Sequence, residues 1–236
     1  MKQFIKTGGR HRTLEGWPLV FTLLVTVSIL IGGAIEFIPL VLVESNIPKI
    51  DTVEPWTPLE LAGRDLYIRE GCNNCHSQMV RPFRHEIERY GEYSKPGETI
   101  YERPFLWGSK RTGPDLARVG GKYPNLWHVR HFDDPRSTSP RSIMPRYNWF
   151  LNWDLDYESI PGRLETLQTL GVPYTDQQIA SSIDDARTQA RGIAMDVEAA
   201  GGPASLETKE IVAIVAYMQR LGTDIKKSTA STSVQP

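Results

Sequence analysis

The residues with the clearest chemistry are Cys72-Asn73-Asn74-Cys75-His76, a C-x-x-C-H run. This is the attachment pattern of a c-type haem. Each thiol can add to one vinyl group of the porphyrin, leaving two thioether bonds and holding the imidazole of the next residue, His76, against the iron as proximal ligand. The chain has 2 cysteines and both lie in this run, so no disulfide framework is left to read. A bare C-x-x-C also occurs in redox disulfides and as half of a zinc site. A redox disulfide needs no following histidine, and no βαβ pattern surrounds this one. A zinc site needs a second ligand pair, and His128 and His131 lie far downstream of a compact ribbon's reach. One covalently held haem is therefore expected, with electron transfer as its use.

A haem that only carries electrons is normally closed on both axial faces, and a Met/His pair raises its potential. Candidates for the distal ligand are Met79, Met144, Met195, Met218, His85, His128 and His131. Met79 is too close to His76 to wrap round to the opposite face. Met218 falls on a core stripe, and Met195 ends an alanine-rich helix. Met144 sits in Ser142-Ile143-Met144-Pro145-Arg146, where the proline restrains it to an extended conformation. Met144 is the expected ligand. The free ring nitrogen of His76 needs an acceptor. Thr112-Gly113-Pro114-Asp115-Leu116 is similar to the G-P-x-L loop of class I cytochromes c, which implies that Pro114 offers its carbonyl and Leu116 covers the haem face; taken alone, the string also reads as an ordinary tight turn. Haem propionates call for donors, and Arg111, Arg118, Arg130, Trp107 and Tyr147 are the candidates.

Several elements must position these groups. Thr57-Pro58-Leu59-Glu60 reads as an N-cap, a proline at the first helical position and a capping box, opening a helix that ends near Glu70 before Gly71. Leu59, Leu66 and Tyr67 would face the core, and Gly63 would let another helix approach. The partner is a helix over residues 206–221, where Ile211, Ile214, Val215, Met218 and Leu221 recur at helical spacing and Gly222 is the stop. Two such helices crossing make a cytochrome c core. Thr175-Asp176-Gln177-Gln178 is another capping box, followed by the stripe Ile179, Ile183, Ala186, Ala190, Ile193, Val197, which predicts an extra amphipathic helix lying flat on its own domain. Residues 80–121 read mostly as loop, a length that usually carries function or meets a partner. The predicted fold is mainly α, with one transmembrane helix followed by a class I cytochrome c-like domain bearing long loop insertions.

Residues 17–43 are mostly apolar, with Glu36 their one charge, and exceed the roughly 20 residues that span a bilayer. A signal peptide is the rival reading, but the apolar character resumes after Gly32-Gly33-Ala34 through Val43. Lys2, Lys6, Arg10 and Arg12 precede the span, while only Lys49 follows it within residues 44–63, so the positive-inside rule puts the N-terminus in the cytoplasm and the haem domain outside. In a bacterium this means the inner membrane, with the haem domain in the periplasm. Glu36 reads either as a carboxyl near the interface or, preferably, as a contact with another membrane subunit, and Gly32-Gly33 offers close helix approach. The organisation expected is a cytoplasmic N-terminus (1–16), an anchor in membrane lipid (17–43), a linker (44–56), a cytochrome domain (57–225) and a disordered tail (226–236). Net charge is −1 over 236 residues, so the overall balance does not point to nucleic acid as a partner.

Longer strings resemble one family. Trp107-Gly108-Ser109-Lys110-Arg111-Thr112-Gly113-Pro114-Asp115-Leu116-Ala117-Arg118-Val119-Gly120-Gly121 is similar to the signature stretch of the membrane-anchored monohaem cytochrome c subunit of cbb3-type cytochrome c oxidases. Trp127-His128-Val129-Arg130-His131-Phe132, Met144-Pro145, Arg89-Tyr90-Gly91, Tyr93-Ser94 and Gly171-Val172-Pro173-Tyr174-Thr175 continue the resemblance. It implies haem c on Cys72 and Cys75, iron between His76 and Met144, and electrons relayed from a dihaem cytochrome c subunit to the low-spin haem b of a catalytic haem b/copper subunit. It also implies that the loop near Ser109 lies at that subunit, with a calcium ion bound there.

Other readings stand beside this one. The anchored cytochrome c subunit of a nitric oxide reductase shares the architecture. A haem-based sensor would need an open distal site, which Met144 argues against. A tethered shuttle would need only a lipid-facing helix. The chain offers one haem attachment and no cluster of histidines for copper, so it is expected to be a non-catalytic subunit, oxygen reduction belonging to the complex.

Overall fold

The computed structural model describes residues 10–43 and 48–232. Lys2 and Lys6, the linker residues Ser45 and Asn46, and the last four residues of the expected tail lie outside the described part. The chain divides into two compact units, Met1–Pro48 and Lys49–Pro236.

In the first unit, α1 (Arg10–Glu15) precedes α2 (Pro18–Leu42). Pro18 opens α2 at a position where its missing N–H costs nothing. At 1.5 Å per residue its 25 residues span about 38 Å, more than the roughly 30 Å of a bilayer's hydrocarbon layer. Within this unit no side chain is packed over Gly32 or Gly33, and Glu36 is exposed.

The second unit is built of helices joined by long loops; among the described residues the only strand-like pairing is an isolated antiparallel bridge between Asp154 and Lys209. Its helices are α3 (Pro58–Arg69), α4 (Arg84–Tyr90), α5 (Asn125–Asp133), α6 (Pro135–Thr138), α7 (Ile160–Thr169), α8 (Asp176–Ala180), α9 (Ser182–Ala199), α10 (Glu210–Arg220) and α11 (Thr223–Thr232). α3 starts as the sequence predicts: the Thr57 hydroxyl accepts from Glu60 N–H, and Thr57 N–H donates to the Glu60 carboxylate at 2.9 Å. Such a cap contributes about 1 kcal/mol.

The core is built on the crossing of α3 and α10. Leu59, Leu66 and Tyr67 from α3 meet Ile211, Ile214, Val215 and Met218 from α10, all buried. The approach is close because Gly63 has no side chain: a Cβ there would stand 1.9 Å from the Ala213 carbonyl oxygen and 2.9 Å from Tyr217 Cβ.

The extra helix predicted after Thr175 forms in two pieces. The capping box is present, but the helix breaks at Ser181. The Ser182 hydroxyl, fully buried, donates to the Ile179 carbonyl at 2.7 Å and competes for the backbone acceptor. Beyond the break, Ala186, Ala190 and Val197 are fully buried, and α9 lies flat against α3, α5 and α10.

Several helices were not foreseen, α1, α6 and α11 among them. α4 falls inside the expected loop and is held by its buried Glu86. α5 buries Leu126, Val129 and Phe132 at three-residue spacing. α7 buries Ile160, Leu164 and Leu167. α11 runs to Thr232, into the part of the chain expected as a tail; Ile225 is buried and Lys226 Nζ donates to the Gly120 carbonyl at 2.7 Å.

Gly63→Ala is expected to force α3 and α10 apart and destabilise the domain by about 1–3 kcal/mol, the usual cost of overpacking, with Gly33→Ala, which meets open space, as control. Denaturant titration of the haem domain measures the first and thermal melting of the whole chain in detergent compares both.

Candidate haem site

Gly71 ends α3 with φ +68°, a left-handed turn that a side chain would strain. The chain then winds through one 3-10 turn, Cys72–Asn74, and both Cys75 N–H and His76 N–H donate to the Cys72 carbonyl, at 3.1 and 2.9 Å. This turn puts Cys72 into the core and leaves Cys75 exposed. Burial pushes the Cys72 thiol up to about 12, with Glu70 adding to the shift. Among the described residues, no three His, Cys, Asp or Glu side chains converge as a metal site, so His128 and His131 do not complete one with the cysteines.

The stretch after the cysteines pairs with the Gly113 loop. Gly113 N–H donates to the Cys75 carbonyl and Leu116 N–H to the Ser77 carbonyl, each at 2.8 Å. Between these bonds His76 Nδ1 lies 2.8 Å from the Pro114 carbonyl oxygen. A carbonyl only accepts, so Nδ1 carries the hydrogen and Nε2 keeps its lone pair. Burial lowers the basicity of His76, opposed by the Pro114 bond and by Asp115. Gly113 backs the ring: a Cβ there would stand 2.3 Å from Cε1, 2.7 Å from Nδ1 and 2.8 Å from Nε2. Gly108, at φ +65°, brings its loop close to the backbone of the motif: a Cβ there would stand 3.0 Å from the His76 carbonyl and 3.1 Å from that of Asn73.

A buried charge cluster locks this loop. Asp115 accepts from the Ser77 hydroxyl at 2.6 Å, from Met79 N–H at 2.9 Å and from Ala117 N–H at 2.9 Å. Arg111 donates to Ser77 Oγ at 2.6 Å, to the Met79 carbonyl at 2.8 Å and to Glu86 at 2.8 Å, and lies 3.3 Å from Asp115. Arg81 completes the cluster through its own ion pair with Glu86. Arg111 first, and then the Arg81 contacts, hold the Glu86 carboxyl at about 2 against the desolvation that opposes them.

Met144 lies on the wall formed by α5 and the segment after it. Tyr147 N–H donates to the Phe132 carbonyl at 2.8 Å and Arg146 Nε to the Asp133 carbonyl at 2.9 Å, which fixes the Met144 stretch beside the end of α5. Met144 is half-buried against the core. Tyr147 stacks on Phe150 and is raised to about 12 by burial, and both Tyr147 and Met144 pack against the core cluster that contains Cys72. Two buried nitrogens on it have no hydrogen-bond partner, Nε2 of His128 and Nε1 of Trp149.

The propionate donors expected from sequence are mostly engaged elsewhere. Arg111 is consumed by Glu86, Asp115 and Ser77. Arg118 grips Glu98 with both terminal nitrogens, at 2.8 and 2.9 Å. The Trp107 ring is exposed and stacked on Phe105 at 4.5 Å, and it is its carbonyl that serves the site, accepting from Gln78 N–H at 2.8 Å. Arg130 is exposed, and Ser109 is exposed with no acidic cluster around it. Leu116 is half-buried beside the motif. Asp115 and Gly113 are the site residues that sequence reasoning passed over. The signal for the first was Arg111 one helical turn before an aspartate.

These residues suit a haem c: two thiols one turn apart, an imidazole with a fixed tautomer and a free Nε2, a side-chain-free backing at Gly113, and two buried polar nitrogens that lack a protein partner.

Gly113→Ala is expected to displace the His76 ring and cost about 1–3 kcal/mol, read as a lower melting temperature and a lower ratio of covalent haem to protein. The charge cluster should also respond to acid. Glu86 has its folded value depressed below the ordinary 4.5, so the stability it contributes is present above pH 4.5 and is lost as pH falls towards about 2. The protection of Arg81 N–H against hydrogen exchange, relative to an unstructured amide at the same pH, should therefore fall across that window, since it donates to Glu86 at 2.8 Å, and Glu86→Gln should abolish the dependence.

A family described as "Cytochrome C oxidase, mono-heme subunit/FixO" matches residues 11–225. Among curated proteins no match is found. The match takes in the apolar helix α2, the C-x-x-C-H turn, the Gly113 loop, Met144 and the α10 core helix. It favours the oxidase reading over the nitric oxide reductase and sensor readings. The chain belongs to the mono-haem subunit family of cbb3-type cytochrome c oxidase: an electron-transfer subunit with one haem c and one N-terminal apolar helix that suits a membrane anchor.

Proposed function

We propose that this subunit takes electrons from a dihaem cytochrome c subunit and passes them, through one haem on Cys72 and Cys75, to the low-spin haem b of the catalytic subunit. When bound, the haem supplies a one-electron centre whose potential a Met/His pair raises. His76 would hold the iron through Nε2 while Nδ1–H stays on the Pro114 carbonyl, and Met144 would supply the second protein ligand. The observation that carries this reading is the His76–Pro114 bond at 2.8 Å, because it leaves the one nitrogen that an iron needs. With both faces closed, the subunit binds no substrate; dioxygen is reduced at the high-spin haem and copper of its partner.

The remaining expectations follow from this role. α2 spans the inner membrane with its N-terminus in the cytoplasm, and the haem domain works in the periplasm. Residues 1–16, 17–43, 44–56 and 57–225 serve as cytoplasmic start, anchor, linker and cytochrome domain. Gly32, Gly33 and Glu36 face another membrane subunit. The loop of residues 80–121 meets the catalytic subunit: Phe83, Tyr93, Phe105 and Trp107 expose 51%, 41%, 52% and 40% of their surface, aromatic area that a partner would cover. A calcium ion at Ser109 would have to draw its acidic ligands from that partner.

The test is purification of the native membrane complex in mild detergent, with b and c haems counted per copy. This chain is expected beside a large copper-containing subunit, with both sulfurs alkylated by haem in peptide mass spectra. Isolation as a lone monomer, or unmodified cysteines in functional material, overturns the reading.

A further inference from the structure

The residues that follow the two ends of the His76–Pro114 bond meet in one carboxylate. Ser77 follows His76, Asp115 follows Pro114, and the Ser77 hydroxyl donates to Asp115 at 2.6 Å. Every other partner of Asp115 donates as well. Met79 N–H, at 2.9 Å, and Arg111, at 3.3 Å, reach the same oxygen, and Ala117 N–H reaches the other at 2.9 Å. The carboxylate therefore ties the segment that leaves the C-x-x-C-H turn to the loop that carries the Pro114 carbonyl. The direction of the bonds is fixed too. Arg111 Nε donates to Ser77 Oγ at 2.6 Å, and an arginine never accepts, so the serine hydrogen goes to Asp115.

This chain of donors is shut away from water. Asp115 and Ser77 are buried, and so is Glu86, which holds the far end of Arg111 at 2.8 Å. Where water is excluded, charges and hydrogen bonds act more strongly on their neighbours. The nearest neighbour is the His76 ring, whose Nδ1–H bond is one residue from Asp115 along both strands of the loop. The backbone bonds from Gly113 to Cys75 and from Leu116 to Ser77 close the loop without any side chain. A buried ionised network is a costly addition if closure were its only task.

We propose that Asp115, braced by Ser77, Arg111 and Glu86, is a positioning residue that holds the Pro114 carbonyl on His76 Nδ1–H and so sets how strongly this imidazole donates to the haem iron. A firmly held Nδ1–H makes Nε2 the more basic nitrogen, which favours the ferric state. A carboxylate one residue from the ligand favours the ferric state as well. Both effects hold the potential down, against the Met/His pair that raises it. The inference rests on His76 being the proximal ligand.

The experiment uses the full chain in its complex, with covalent haem quantified for every variant. Wild-type protein is expected to show one low-spin c haem; a high-spin signal there sinks the ligation by His76 itself, a different failure from those below. Asp115→Asn keeps the shape, removes the charge and loses at least one bond, because its amide nitrogen cannot accept. It is expected to keep the covalent low-spin haem, raise its midpoint potential and shift its paramagnetic resonance g values. Ser77→Ala removes one bond of the network and should move both readouts the same way by less; should Asp115→Asn fail to hold haem, this variant decides. Glu98→Gln removes a carboxylate paired with Arg118 outside the network and is expected to leave the g values in place. Unchanged potential and g values in haem-loaded Asp115→Asn, or in Ser77→Ala where it decides, overturn the inference, and so does a Glu98→Gln shift in g values as large as that of Asp115→Asn.

Discussion

The bond between His76 Nδ1 and the Pro114 carbonyl is the constraint on which this domain turns. An imidazole offers two nitrogens, and only a partner that accepts without donating can decide which one keeps its lone pair. A backbone carbonyl meets that condition at every pH at which the protein is folded. Holding a carbonyl at 2.8 Å from the ring requires the Pro114 loop to be fixed relative to the C-x-x-C-H turn. Two backbone bonds on either side, from Gly113 to Cys75 and from Leu116 to Ser77, do this in the manner of a short ladder. Gly113 lets the loop close until it touches the ring face, and any side chain there would hold the carbonyl away.

A loop this tight has polar groups to satisfy, and the charge cluster satisfies them. Asp115 takes three hydrogen bonds and an arginine, and Arg111 reaches four acceptors. A buried carboxylate with fewer partners would be costly, and an arginine at the surface of a haem pocket would be free to wander. Together they tie the proximal loop to α4, an element with little core of its own. α4 is thus a bracket for the haem loop, and its buried Glu86 is the reason it exists as a helix at this place.

Much of this was legible in the chain. The capping box at Thr57, the stripe on α10 and the glycine at their crossing are local patterns whose meaning does not depend on distant residues, and each appears where the spacing predicts. The C-x-x-C-H and G-P-D-L strings were legible for the same reason. The arginines were not. Arg111 and Arg118 look like propionate donors until Glu86 and Glu98, 25 and 20 residues away in sequence, claim them. Which carboxylate an arginine finds is a matter of tertiary neighbours, and one sequence holds no record of them. The break at Ser181 was hidden for a related reason: a serine next to a helix turn competes for the backbone only once packing buries its hydroxyl. α7 was readable in principle, since Ile160, Leu164 and Leu167 recur at helical spacing, but its short stripe lies inside a long segment without a motif.

That long segment bears on the asymmetry of the haem pocket. Arg163 of α7 pairs with Asp65 of α3 at 2.9 Å, the Tyr174 hydroxyl donates to the Trp56 carbonyl at 2.8 Å, and the Thr57 hydroxyl bonds Gln189 of α9 at 2.9 Å. The helix that ends at the haem motif is therefore gripped by α10 on one side and by α7 and α9 on others. The proximal side of the pocket inherits this rigidity through Gly71 and the Gly113 loop. The Met144 stretch is tied to the end of α5 just after Met144, through Tyr147 and Arg146, while its neighbours Ile143 and Pro145 face solvent. A site built this way holds the His76 ring firmly and leaves the Met144 stretch as its freer wall.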